Sequence, residues 1–85
     1  MEKELIKGIA IIQRSKCREK VLKDLKNKIK TPSKISKSTN ISIHHVSRYL
    51  KQLKEENLVV CLNEDFKQGR LYKITELGED VLNYL

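Results

Sequence analysis

Residues 31–58, TPSKISKSTNISIHHVSRYLKQLKEENL, constrain the chain more than any other stretch. Thr31 before Pro32 has the form of a helix N-cap followed by proline at the first helical position, where the missing N–H is not needed. Ile35 gives this short helix one apolar anchor before Ser38, Thr39 and Asn40 break it. Ser42 then caps a second, longer helix over about residues 43–57, on which Ile43, Val46, Leu50 and Leu53 recur at three- and four-residue spacing. That spacing predicts one buried stripe. The opposite face carries His44, Arg48, Lys51 and Gln52, with His45 beside them and Ser47 and Tyr49 on the flanks.

A buried stripe backed by hydrogen-bonding and cationic side chains, entered from a short helix and a tight turn, is the helix-turn-helix pattern. In such a unit the second helix enters a DNA major groove. The charge distribution agrees. Residues 1–54 hold 15 basic and 4 acidic side chains, whereas residues 55–85 hold 3 and 7. A cationic surface favours polyphosphates through release of their condensed counterions. A lysine-rich surface with no partner is the bland alternative, and charge does not decide between them.

Eighty-five residues make one domain with little room for a second core. The two cysteines, Cys17 and Cys61, have no paired spacing, so neither a disulfide framework nor a zinc knuckle is suggested. The apolar run at residues 9–12 is too short for a membrane span and lacks a signal-peptide cleavage site. The expectation is a cytoplasmic protein with no membrane association.

Ahead of the central unit, Leu5, Ile9 and Ile12 share one face of a helix, with Ile6 at its edge and Gly8 weakening it. Ile11 points away from that face, as a lone exposed residue or as part of a subunit contact. Ser15 caps a helix from Lys16 to about Lys28, with Cys17, Val21, Leu22, Leu25 and Ile29 as its core stripe. Cys17 reads better as a small buried hydrophobe than as a reactive thiol. Residues 28–30 form a loop or one small strand.

After the second helix of the unit the pattern becomes extended. Leu58 to Leu62 and Arg70 to Thr75 read as two strands of a β-hairpin, joined by the polar loop 63–69. Thr75 caps a last helix with Leu77, Val81, Leu82 and Leu85 on its buried side, and Gly78 inside it implies that something packs close.

Three pieces now resemble winged helix-turn-helix proteins of the ArsR/MarR-like type found in bacteria and archaea. TPSKIS at 31–36 looks like the opening of the family's second helix. VSRYLKQL at 46–53, followed by Asn57-Leu58-Val59, resembles its recognition helix running into the first wing strand. RLYKITELG at 70–78 is similar to the returning wing strand and the closing helix. The resemblance implies an α+β, mostly α fold: a winged helix-turn-helix with a two-stranded β-hairpin wing and flanking N- and C-terminal helices. Residues 15–85 would be the winged core and residues 1–14 an N-terminal helical extension of a single domain. Two departures matter. The recognition helix lacks the cysteine pair of metal-sensing ArsR proteins, and the chain has no room for the full set of MarR dimerisation helices. Their ligand sensing is therefore not carried over, and no small-molecule effector is evident.

The resemblance implies binding to double-stranded DNA, and the residue chemistry fits it. Ser42, His44, His45, Ser47 and Arg48 occupy the first half of the recognition helix. Arg48 can donate to guanine O6 and N7 together, though a solvated helix arginine is the plain alternative. His44 and His45 could bond bases or phosphates; neighbouring histidines diverge on a helix, so no metal site is expected. Tyr49 packs against the short helix or offers its hydroxyl to a phosphate. Ser33, Lys34 and Lys37 lie where the first helix of such a unit crosses the backbone. Lys51 and Gln52 would sit deeper along the groove edge. In the wing, 63–70, Lys67, Gln68 and Arg70 could approach a minor groove, or form an ordinary solvated turn.

Nothing supports catalysis: there is no ordered Ser/His/Asp set, glycine-rich phosphate loop or pocketed carboxylate pair, and no cofactor is implied. The reading is a sequence-specific transcription regulator, a homodimer on a two-fold symmetric site. The alternatives are a winged helix protein-interaction module of transcription or replication machinery and a non-specific architectural DNA binder. RNA binding ranks below these, because the aromatic sheet motifs that stack single-stranded bases are missing.

Overall fold

The computed structural model describes residues 2–85; Met1, the first residue of the expected N-terminal extension, lies outside the described residues. Its elements run α1 (Lys3–Gln13), α2 (Lys16–Asp24), β1 (Ile29–Lys30), α3 (Pro32–Thr39), α4 (Ile43–Glu55), β2 (Val59–Cys61), β3 (Tyr72–Ile74) and α5 (Glu76–Asn83). This is the expected α+β winged helix-turn-helix arrangement, with one addition. The wing is not a two-stranded hairpin alone: among the described residues the sheet has three antiparallel strands in the order β1-β3-β2.

All four side-chain caps expected from the sequence form. Ser15, Thr31, Ser42 and Thr75 accept the backbone N–H three residues on, from Arg18, Lys34, His45 and Gly78 respectively. Each satisfies one of the amides that a helix start leaves without an intrahelical partner. Three helices are left through asparagines in the left-handed region: Asn27, Asn40 and Asn57 have φ of 60°, 60° and 61°. Asparagine tolerates that conformation better than other residues with a Cβ. Asn40 makes the turn between α3 and α4, which is closed by Ser36 Oγ donating to the Ile41 carbonyl at 2.6 Å. Helix α3 runs through Ser38 and Thr39 and ends at Asn40, and both hydroxyls bond back to the carbonyl four residues earlier.

The core gathers Ile12, Val21, Leu22, Leu25, Ile35, Val46, Leu50, Leu53, Leu58, Val59, Cys61, Tyr72, Ile74 and Val81. Four residues expected on buried stripes, Cys17, Ile29, Ile43 and Leu85, are outside it. Helix α2 ends at Asp24, so the helical spacing that would bury Ile29 does not reach it. Ile29 instead pairs with Lys73 in the sheet, shares its outward face and is 51% exposed. Ile43, expected on the buried stripe of α4, is 42% exposed. Cys17 is half-buried rather than enclosed, and Leu85 lies exposed beyond the end of α5. Ile11, expected to point outward, is half-buried and packed against the core.

Helix α1 belongs to the packed body. Ile12 is fully buried, and a Cβ on Gly8 would lie 2.7 Å from Val81 Cγ2 of α5. Gly78 makes the other close approach. A Cβ there would collide with the Leu58 carbonyl oxygen and come within 2.7 Å of Ile74 Cγ1. The expectation that something packs against Gly78 is met by the strand entrance beneath it.

Candidate nucleic-acid interface

Helix α4 begins at its Ser42 cap and ends at Glu55, two residues short of the expected 57, because Asn57 turns the chain toward β2. Its buried side is Val46, Leu50 and Leu53, which press it onto the core and fix which side faces outward. His44, His45, Ser47, Arg48 and Lys51 are exposed along that outer side. Ser42 is exposed too; its oxygen is engaged by His45 N–H at 3.4 Å, and its own hydroxyl proton remains available. The Arg48 guanidinium carbon sits 5.4 Å from the Tyr49 ring centroid, and the His45 ring lies 6.4 Å from the same ring, tilted. Tyr49 itself is half-buried. A guanidinium resting near an aromatic face keeps its charge outward while restricting its freedom.

Beside this surface the start of α3, the wing-facing edge of α4 and the loop between β2 and β3 enclose a groove of about 770 Å³. Ser33, Ser47, Lys51, Lys67, Gln68 and Arg70 line it, so six of the expected residues from three separate elements converge on one concavity. Ile43, Pro32 and Tyr72 supply apolar lining. His44, His45 and Arg48 are not among its lining residues, and Lys34 is exposed on α3. The arrangement offers a convex row of donors on α4 and, next to it, a cationic trough.

Two expected site residues are placed differently from the rest. Gln52 faces α2, where its Oε1 accepts from Arg18 Nε at 2.8 Å. Arg70 is half-buried and bonded within its own loop, donating from Nε to the Phe66 carbonyl at 2.6 Å and from an Nη to the Glu64 carbonyl at 3.3 Å. Each arginine contact organises the fold around the interface.

Further residues that shape the surface carry little sequence signal. Asn63 braces the wing loop, accepting from Leu71 N–H at 2.7 Å and donating to the Gly69 carbonyl at 3.2 Å. Lys54, at the end of α4, forms an ion pair with Glu64 of the loop and so ties the wing to the helix. The bond to Glu64 raises the Lys54 pKa, and the same bond to Lys54 lowers that of Glu64. Lys30 joins three elements, donating to Asp24 Oδ2 and Ser38 Oγ, both at 2.9 Å. An Asx brace of the kind Asn63 makes is the one feature here with a local cue, since a turn asparagine commonly bonds nearby backbone.

Among the described residues no group of three or more His, Cys, Asp or Glu side chains gathers where it could hold a metal ion. No helix among them is long and apolar enough to cross a membrane.

A family model described as winged helix-turn-helix matches residues 13–85. No curated protein and no solved structure matches the chain. The match spans α2 to α5, including the α3–turn–α4 unit and the wing whose geometry is given above. The chain belongs to the winged helix-turn-helix family, a membership that suggests DNA binding.

Proposed function

We propose that the chain is a sequence-specific, double-stranded DNA-binding transcription regulator of ArsR/MarR-like type, acting in the cytoplasm as a homodimer. The observation that carries this reading is the convergence of exposed donors and cations from α3, α4 and the wing on one side of the molecule. Helix α4 enters the major groove, where Arg48 donates to a guanine and His44, His45 and Ser47 reach neighbouring base edges. Ser33, Lys34 and Lys51 hold phosphates on the flanking strand, and Lys67 with Gln68 extends the contact from the wing. Phosphate contacts supply affinity and register; the α4 side chains select sequence.

One α4 helix reads only a few base pairs. Two copies about one helical turn apart on a two-fold symmetric site supply the missing discrimination. Residues 15–85 act as the winged core and residues 1–14 as its N-terminal helical extension, whose helix α1 (Lys3–Gln13) packs on that core. Selection from a random-sequence duplex pool tests the reading. Enrichment of a palindromic site, bound at a stoichiometry of two chains per duplex, is the expected result. Retention of the whole pool without enrichment contradicts sequence-specific regulation.

A further inference from the structure

Ile43 is the first residue of α4 and is 42% exposed, although its helical spacing matches Val46, Leu50 and Leu53, which are all fully buried. The start of α3 and the wing loop stand apart at this end of the helix and leave Ile43 lining the groove between them. The core does not account for an isoleucine there. A β-branched apolar residue also has no advantage as a helix former at an exposed position. Its neighbours are Ser47, one turn further along α4, and Lys51, one turn beyond that, with Lys67 across the groove. Pro32 and Tyr72 also line the groove, so an apolar spot bordered by cations and hydroxyls sits at the first turn of the helix proposed to enter the major groove. The first turn is the part of such a helix that approaches base edges. The one apolar feature on a major-groove base edge is the thymine 5-methyl group.

We infer that Ile43 is a specificity residue that reads a thymine methyl in the major groove, with Ser47 bonding the adjoining base edge. This inference rests on the DNA-binding reading above and adds to it a preference that neither charge nor Arg48 supplies. Lys51 and Lys67 flank the contact and would hold the strand on either side of it. The apolar contact excludes water from the methyl group, so its worth is close to that of one buried methyl.

The test titrates the duplex enriched from a random pool, together with versions in which uracil replaces thymine one position at a time. Both the wild-type chain and Ile43→Ala are measured, with circular dichroism melts to show that the variant folds. One uracil replacement is expected to weaken the wild-type chain by roughly fourfold, the equilibrium equivalent of one buried methyl, and to leave Ile43→Ala unaffected. Equal sensitivity in the two chains, no thymine whose methyl matters, or no enriched duplex overturns the assignment. Failure of the wild-type chain to bind any duplex at low salt overturns the DNA-binding reading itself, and this inference with it.

Discussion

Arg18 donates from Nε to Gln52 Oε1 at 2.8 Å and from an Nη to the Ile11 carbonyl at 2.9 Å. One side chain on α2 thereby joins the end of α1 to the back of α4. Gln52 is occupied in setting the position of the helix that carries the exposed donors. Replacing Arg18 by alanine is expected to lower unfolding free energy by about 1–3 kcal/mol, through two lost charged hydrogen bonds and lost stem packing. Urea unfolding measures this. Gln52→Ala removes the acceptor of one of those bonds and is expected to lower unfolding free energy in the same direction, by about 1–2 kcal/mol.

Gly78 lies inside a helix, where alanine would ordinarily add about 1 kcal/mol of stability. Here the Leu58 carbonyl and Ile74 Cγ1 occupy the space a Cβ would take, and backbone cannot swing aside. Gly78→Ala is therefore expected to destabilise by about 1–3 kcal/mol, as overpacking does. A rise in thermal midpoint would contradict the close approach.

Asn57 ends α4 with φ of 61°, and its carbonyl accepts from Thr75 Oγ1 at 2.7 Å. Alanine at this position would carry a left-handed cost of about 1–2 kcal/mol. Glycine carries none, so Asn57→Gly is expected to match wild type or exceed it slightly. Denaturation midpoints ordered glycine, asparagine, alanine would agree; alanine at wild-type stability would not.

The Lys54–Glu64 pair holds only within a pH window. The Glu64 pKa is lowered, so its share of the interaction is present above the unfolded carboxylate value and is lost as pH falls through the folded one. The Lys54 pKa is raised, so its share is present below the unfolded amine value and is lost as pH rises through the folded one. The wing is tied to α4 across the neutral range between those limits. In an NMR titration of the Glu64 carboxyl, Lys54→Met is expected to return its midpoint upward to the ordinary glutamate range. An unchanged midpoint would mean the pair does not form.

Features governed by nearby residues were legible in the sequence. Ser15, Thr31, Ser42 and Thr75 announced their helices because a cap acts on an amide only three residues away. Val46, Leu50 and Leu53 repeat at the helical period, and all three are buried. What was hidden depends on distant partners. Ile43 fits the same period, yet its exposure is set by where α3 and the wing stop, which the helix's own spacing cannot carry. For residues 28–30 the sequence allowed a loop or one small strand, and what decides for strand β1 is pairing with Tyr72 and Lys73, more than forty residues on. Gln52 looks like its exposed neighbours until Arg18, 34 residues earlier, is brought beside it. Arg70 reads as a free cation because its acceptors are backbone carbonyls, which have no residue-type signature.

On the function proposed above, the outer face of α4 binds duplex DNA and selects its sequence. The most direct test of this is titration of the duplex enriched by the wild-type chain, and of a scrambled duplex, against wild type and Arg48→Ala at several salt concentrations. Loss of a bidentate guanine contact is expected to weaken binding to the enriched duplex by about 1–3 kcal/mol, with a much smaller change on the scrambled one. Binding to both should fall steeply with salt as phosphate contacts release counterions. Equal, salt-insensitive affinity of both chains for both duplexes would contradict the claim.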